Sequence, residues 1–184
     1  MTRSLFLCVV LVLSGCALTK DYLNPEGKGR TYTVGNPCPY AYRVLEVRGT
    51  TDPELRVAVG SFRKGEYGLT KTTLFMAISD NVVAGYQVGR LYSPAMTKEH
   101  RVSFPGGTSV RVILPSGEVV EGNFSIENKG EPTKRATLLS FAISEKVLDE
   151  FTAFLPSVMV DGELFNLGEV HFKRATETWH VANC

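Results

Sequence analysis

Three histidines, four cysteines and 19 carboxylates are the groups through which this chain of 184 residues could do chemistry. A metal centre needs convergent His, Cys or carboxylate ligands, usually at helical or turn spacing. His100, His171 and His180 belong to no H-x-H or H-E-x-x-H pattern, so no metal site is expected. His171 alternates with Val170 and Phe172, which puts it on the solvated side of a strand with Glu169 and Lys173. His100 precedes the strand-like run Arg101 to Phe104 and is expected at a loop edge, while His180 lies beside Trp179. A serine hydrolase of the nucleophile-elbow type needs its Ser on a tight turn between strand and helix. Ser116-Gly117 falls in a hairpin turn instead. Asp149 and Glu150 are neighbours on an expected helix and diverge, so they do not make a carboxylate pair for sugar hydrolysis. No catalytic constellation results, no cofactor is implied, and the expectation is a protein that is not an enzyme.

Charge narrows the partners. Lys and Arg total 20 against 19 acidic residues, a net charge of +1. That balance provides no basic field for nucleic acid. The start of the chain is more informative. Arg3 is followed by nine consecutive apolar residues, Leu5 to Leu13. Roughly 20 would be needed to span a bilayer as a helix, so the run has the size of a signal-peptide hydrophobic region. It closes in Leu13-Ser14-Gly15-Cys16, which resembles the lipobox of bacterial lipoproteins. The resemblance covers residues 1 to 16 alone. It implies a diacylglyceryl group on the Cys16 thiol, cleavage before Cys16, and acylation of the new amine. Two or more chains give stable anchoring where one is marginal. Ala17, where an Asp would favour inner-membrane retention in enterobacterial lipoproteins, points to the outer membrane, with the domain facing the periplasm.

The remaining cysteines follow from that reading. Cys8 leaves with the signal and Cys16 is taken by lipid, so Cys38 and Cys184 remain, in a compartment that permits disulfides. Paired, they would close nearly the whole folded chain, worth about 5 kcal/mol at most in the loop-entropy model. The alternative is two separate thiols, because sequence does not supply the Cα separation that decides between them. No C-x-x-C is present, so a thioredoxin-like or zinc-ribbon site is not supported.

The elements that must position these residues read mostly as strands. Residues 1–15 are a signal peptide, 16–36 a lipidated N-terminus and tether, and 37–184 one β-rich domain. The polar stretch 17 to 30, with Pro25, Gly27 and Gly29, is expected to be a flexible tether reaching about 20 Å. Tyr42 to Arg48, Leu55 to Phe62 and Thr72 to Ser79 are rich in β-forming residues and broadly alternating. Ser109 to Leu114 and Glu118 to Glu127 form a hairpin about Pro115-Ser116-Gly117. Ala136 to Ile143 is almost wholly apolar and reads as a central strand. One amphipathic helix is expected late in the chain: Ser144 caps it, Val147, Leu148, Phe151, Phe154 and Leu155 make its stripe, and Pro156 stops it. Asp161-Gly162 then predicts a type I′ hairpin, and Glu169 to Lys173 a last strand with Val170 and Phe172 inward.

The expected class is therefore mainly β (a β-rich α+β domain): an antiparallel sandwich or partly open barrel with one late helix. The expected function is that of a lipid-anchored envelope protein acting as a non-catalytic binding or assembly accessory, with another envelope protein as its partner. Tyr86, Arg90 and Tyr92, in a Gly-rich stretch, are the candidate contact residues. The competing reading is a periplasmic carrier of a small apolar ligand, with a pocket between helix and sheet flanked by Phe141, Phe151 and Phe154. An envelope hydrolase ranks below both.

Overall fold

In Thr72–Ser79, Leu74, Met76 and Ile78 point to one side and all three are fully buried, as strict alternation demands of a strand lying on a core. The same rule places Val57 and Val59, Val110 and Val112, Phe151 and Ala153, and Val170 and Phe172, each 0–1% exposed. Each of these side chains larger than alanine contributes about 1.5–3 kcal/mol by leaving water. A computed structural model describes residues 17–34, 42–80, 98–126 and 137–180.

The described chain forms fourteen strands: β1 (Ala17–Gly27), β2 (Arg30–Val34), β3 (Tyr42–Arg48), β4 (Arg56–Phe62), β5 (Thr72–Ser79), β6 (Val102–Ser103), β7 (Ser109–Ile113), β8 (Val119–Asn123), β9 (Ser125–Ile126), β10 (Thr137–Ser144), β11 (Glu150–Phe154), β12 (Val158–Val160), β13 (Glu163–Phe165) and β14 (Glu169–His180). One sheet has the order β1-β14-β11-β7-β8 and a second β2-β3-β4-β5-β10-β9, while β13-β12-β6 is a small third sheet. Neighbouring strands pair antiparallel throughout, for example Phe151 opposite Phe172 in the first sheet and Val59 opposite Met76 in the second. The main core is shared between the two large sheets: Leu23, Val112, Phe151 and Phe172 from the first, Leu45, Val59, Met76 and Leu139 from the second. Val158, Val160 and Phe165 of the third sheet join the same core. This is a sandwich-like mainly β fold, as alternation and turn spacing predicted.

A second cluster lies on the outer face of the six-stranded sheet, where Tyr42, Val44, Phe62 and Phe75 are buried together. Phe62 and Phe75 stack at 4.7 Å, and Tyr42 meets both edge-on. Gly60 makes the stack possible, since a Cβ there would stand 2.5 Å from the Phe75 ring. The chain changes sheet at Phe124, which is 4% exposed between β8 and β9 and donates its backbone N–H to the Thr108 carbonyl at 2.9 Å.

Two expectations are corrected. The helix over residues 144 to 155 is instead a loop followed by β11. Phe151 and Leu155 are four apart, a spacing that satisfies both a helical stripe and a strand face. Ala153 decides between them: it is 0% exposed, in register with its two even-spaced neighbours, whereas Val147 of the supposed stripe is 52% exposed. As a strand, 150–154 pairs with β14 on one side and β7 on the other. Ser144 accepts the Lys146 N–H in a local turn rather than capping a helix. The single helical element among the described residues is a one-turn 3₁₀ segment, Glu66–Gly68.

The second correction concerns residues 17 to 30. Ala17–Gly27 is strand rather than tether, paired with β14 at every position from Ala17 opposite His180 to Gly27 opposite Val170. Polar residues hid it because β1 is a sheet edge, where polar side chains and Pro25 are tolerated. Tyr22 and Leu23 are buried all the same, at 5% and 1% exposed.

Candidate functional site

Three segments distant in sequence meet around one imidazole. Asp80 immediately follows β5. Lys98 to Arg101 lead into β6, which pairs with β12 through Val102 opposite Val160. The β12–β13 turn supplies Asp161, which adopts φ 50°, a left-handed conformation that Asp tolerates, with Gly162 beside it at φ 88°. Asp161 and Arg101 exchange contacts: the Asp161 N–H donates to the Arg101 carbonyl at 3.0 Å, and the Arg101 N–H donates to the Asp161 carboxylate at 2.8 Å.

His100 lies between the two carboxylates. Its Nδ1 is 2.6 Å from Asp161 and its Nε2 is 3.1 Å from Asp80. The His100 and Asp80 side chains are each 1% exposed, whereas Asp161 is 48% exposed. Asp80 also accepts the Lys98 backbone N–H at 3.1 Å, and the Lys98 ammonium reaches Asp52 at 2.9 Å. The Arg101 N–H, and after it His100, hold the Asp161 carboxyl below its ordinary range. Asp52 is held low by Lys98, and Lys98 is raised by Asp52 in return. Glu163, next on the hairpin, accepts from the Thr50 hydroxyl at 2.6 Å and from the Thr50 backbone N–H, and these bonds keep its carboxyl low. An open depression of about 640 Å³ lies over this corner, lined by Glu99, His100, Arg101, Asp161 and Gly162.

The chemistry open to this arrangement is limited by its own hydrogen bonds. An ionised carboxylate only accepts, so the ring satisfies both Asp80 and Asp161 when both its nitrogens carry hydrogen. Both nitrogens are thereby engaged, and among the described residues neither is aimed at a hydroxyl that it could activate. The cluster is a clasp that fastens the end of β5, the approach to β6 and the β12–β13 turn. Among the described residues, no group of three or more His, Cys, Asp and Glu side chains is arranged to hold a metal ion.

The expected positions fare as follows. His171 is on the solvated face, 37% exposed, between Thr152 at 3.2 Å and Glu150 at 3.2 Å. His100 is at a loop edge, as expected, but its side chain is buried, which traces to Asp80 and Asp161. These lie 20 and 61 positions away, beyond the reach of any local pattern. The pocket required by a carrier loses its helix. Phe151 stacks on Phe172 at 4.7 Å in the core, Phe154 lies under the Arg111 guanidinium at 5.0 Å, and Phe141 packs against Phe124 and over Gly122. Cys16, Cys38, Cys184, Tyr86, Arg90 and Tyr92 lie outside the described residues.

A second charged cluster ties the sheets together. Asp21 of β1 binds Arg174 of β14 at 2.5 Å and Thr176 at 2.7 Å. Arg63, just past β4, reaches Asp149 at 2.6 Å and Asp21 at 3.6 Å. Thr176 and Arg174 hold the Asp21 carboxyl below its usual range. Asp149 and Leu148, expected on a helix, are instead fixed by Arg63, which also donates to the Leu148 carbonyl. Comparison with protein-family models, curated proteins and solved structures finds no match to this chain.

Proposed function

We propose that this chain is a lipid-anchored protein of the bacterial cell envelope whose β-sandwich is a non-catalytic binding or assembly module. The observation that carries the reading is the apolar run Leu5 to Leu13 closing in Leu13-Ser14-Gly15-Cys16. β1, described from Ala17, is integral to the first sheet and would carry the anchored end directly into the fold. The commitment of both His100 nitrogens to carboxylates supports a binding role over a catalytic one. Ala17 favours the outer membrane, with the sandwich on the periplasmic side. The proposed partner contacts are Tyr86, Arg90 and Tyr92, on the segment whose flanking residues Asp80 and Lys98 are bonded to each other.

A Cys38–Cys184 disulfide belongs to the same proposal. Arg43 and Glu177 are 2.5 Å apart. Cys38 lies five residues before the first and Cys184 seven after the second, within about 17 Å and 23 Å of extended chain. Cross-linking with mass spectrometry in the native envelope tests the function, with Cys16→Ser as control. One stoichiometric protein partner, lost in the control, is the expected result, and recovery of the protein alone contradicts it.

A further inference from the structure

Resting on the acylation of Cys16 proposed above, we infer that the free end of the β1–β14 ribbon, residues 17–20 against 177–180, is a bilayer-contact surface. It mounts the sandwich on the lipid without a spacer. The ladder places this end. Ala17 is opposite His180 and Leu18 opposite Trp179, and Ala17 directly follows Cys16. A strand rises about 3.3 Å per residue, so Leu18 lies within about 7 Å of the acylated residue along the chain, and its partner Trp179 is one strand spacing, about 5 Å, to the side. The headgroup layer on each side of the hydrocarbon is about 5–8 Å deep, and Trp is enriched at that level.

Within its own sheet this end has few partner strands. β11 accompanies β14 only from Glu169 to Lys173, and beyond that point β1 is the strand that pairs with β14 among the described residues. The second sheet holds the ribbon as far as Glu177, through Arg43 of β3. Nearer the tip, the Thr19 and Thr178 hydroxyls meet across the ribbon at 3.1 Å, exposed. The nearest carboxylates are already engaged, Glu177 by Arg43 and Asp21 by Arg174, so they present no unpaired negative charge to anionic headgroups. A lipid interface would meet this end of the ribbon at the place where the proposed anchor holds it.

Trp179 is the only tryptophan in the chain, so native fluorescence reads this position directly. The full-length protein is placed in phosphatidylcholine vesicles with and without dibrominated acyl chains, and intact mass measured on the same sample reports the state of Cys16. The expected result is an acylated, vesicle-bound protein whose emission falls at least about two-fold in brominated lipid, because interfacial Trp lies within quenching reach of the chains. Acrylamide quenching should be correspondingly weaker than in the Cys16→Ser form. An acylated, vesicle-bound protein whose emission ignores the brominated lipid overturns the mount alone, leaving the tip to solvent or to a protein. An unmodified Cys16 overturns both the mount and the anchoring on which it rests.

Discussion

His100 shows what a single residue does in this fold. With Asp80 it forms a pair whose side chains are both 1% exposed, and removing one partner of a buried pair leaves the other charge poorly compensated. Because Asp80 keeps the Lys98 N–H, His100→Ala should cost about 3 kcal/mol in urea unfolding, with His100→Gln recovering part of the loss by donating to one carboxylate. An unchanged midpoint would show that the clasp contributes nothing. Asp161 gives the pH dependence. Its folded pKa lies below the ordinary 3.8. A depressed carboxyl contributes stability that is complete above the unfolded value and is lost as pH falls through the folded one. Wild type should therefore lose stability below about pH 4 more steeply than Asp161→Asn, in parallel acid titrations. Gly60→Ala should destabilise by about 1–3 kcal/mol, because the new Cβ at 2.5 Å forces the Phe75 ring out of its stack.

At the scale of elements, β1 and β11 are where the sequence and the fold part company. The β7–β8 hairpin and the Asp161-Gly162 turn were readable because alternation and turn chemistry are local. Val112 is opposite Val120, and Val160 opposite Glu163, close to where those signals place them. Phe151 and Leu155 fit two periods at once, and only the neighbours β14 and β7 settle the choice. β1 was unreadable for another reason: its partner is more than a hundred residues away, and as an edge strand it carries polar side chains. Much of the site was hidden in the same way, since the Asp161 turn could be read locally but not the ring that its carboxylate meets. If β1 is a built-in strand, amide exchange at the alternate positions of residues 19–27 whose N–H groups face β14 should be slowed by more than about 100-fold relative to free peptide, since paired strands open only rarely. Exchange at free-peptide rates would restore the tether. Phe151→Ala should cost about 3–5 kcal/mol, as expected for a ring stacked in a strand core, with no change in far-ultraviolet helical signal.

For the molecule as a whole, β1 ties the proposed anchor to the fold. A lipid on Cys16 would attach one residue from a strand that pairs with the last strand of the first sheet, so tension on the anchor passes straight into the sandwich. The Arg63–Asp21–Arg174–Asp149 cluster braces that junction, joining β1, β14, the end of β4 and the loop before β11. Non-reducing peptide mapping should find Cys38 joined to Cys184, and two alkylatable thiols in the native protein would contradict that pairing. The central claim is the anchor itself. Its most direct test is membrane fractionation with intact-mass measurement of the full-length protein and its Cys16→Ser variant, expressed in a bacterium with lipoprotein processing. The account predicts that the wild type begins at an acylated Cys16 and stays with the membranes through carbonate washing, while the variant is released. A Cys16 without lipid, or a variant retained as firmly as the wild type, would contradict it.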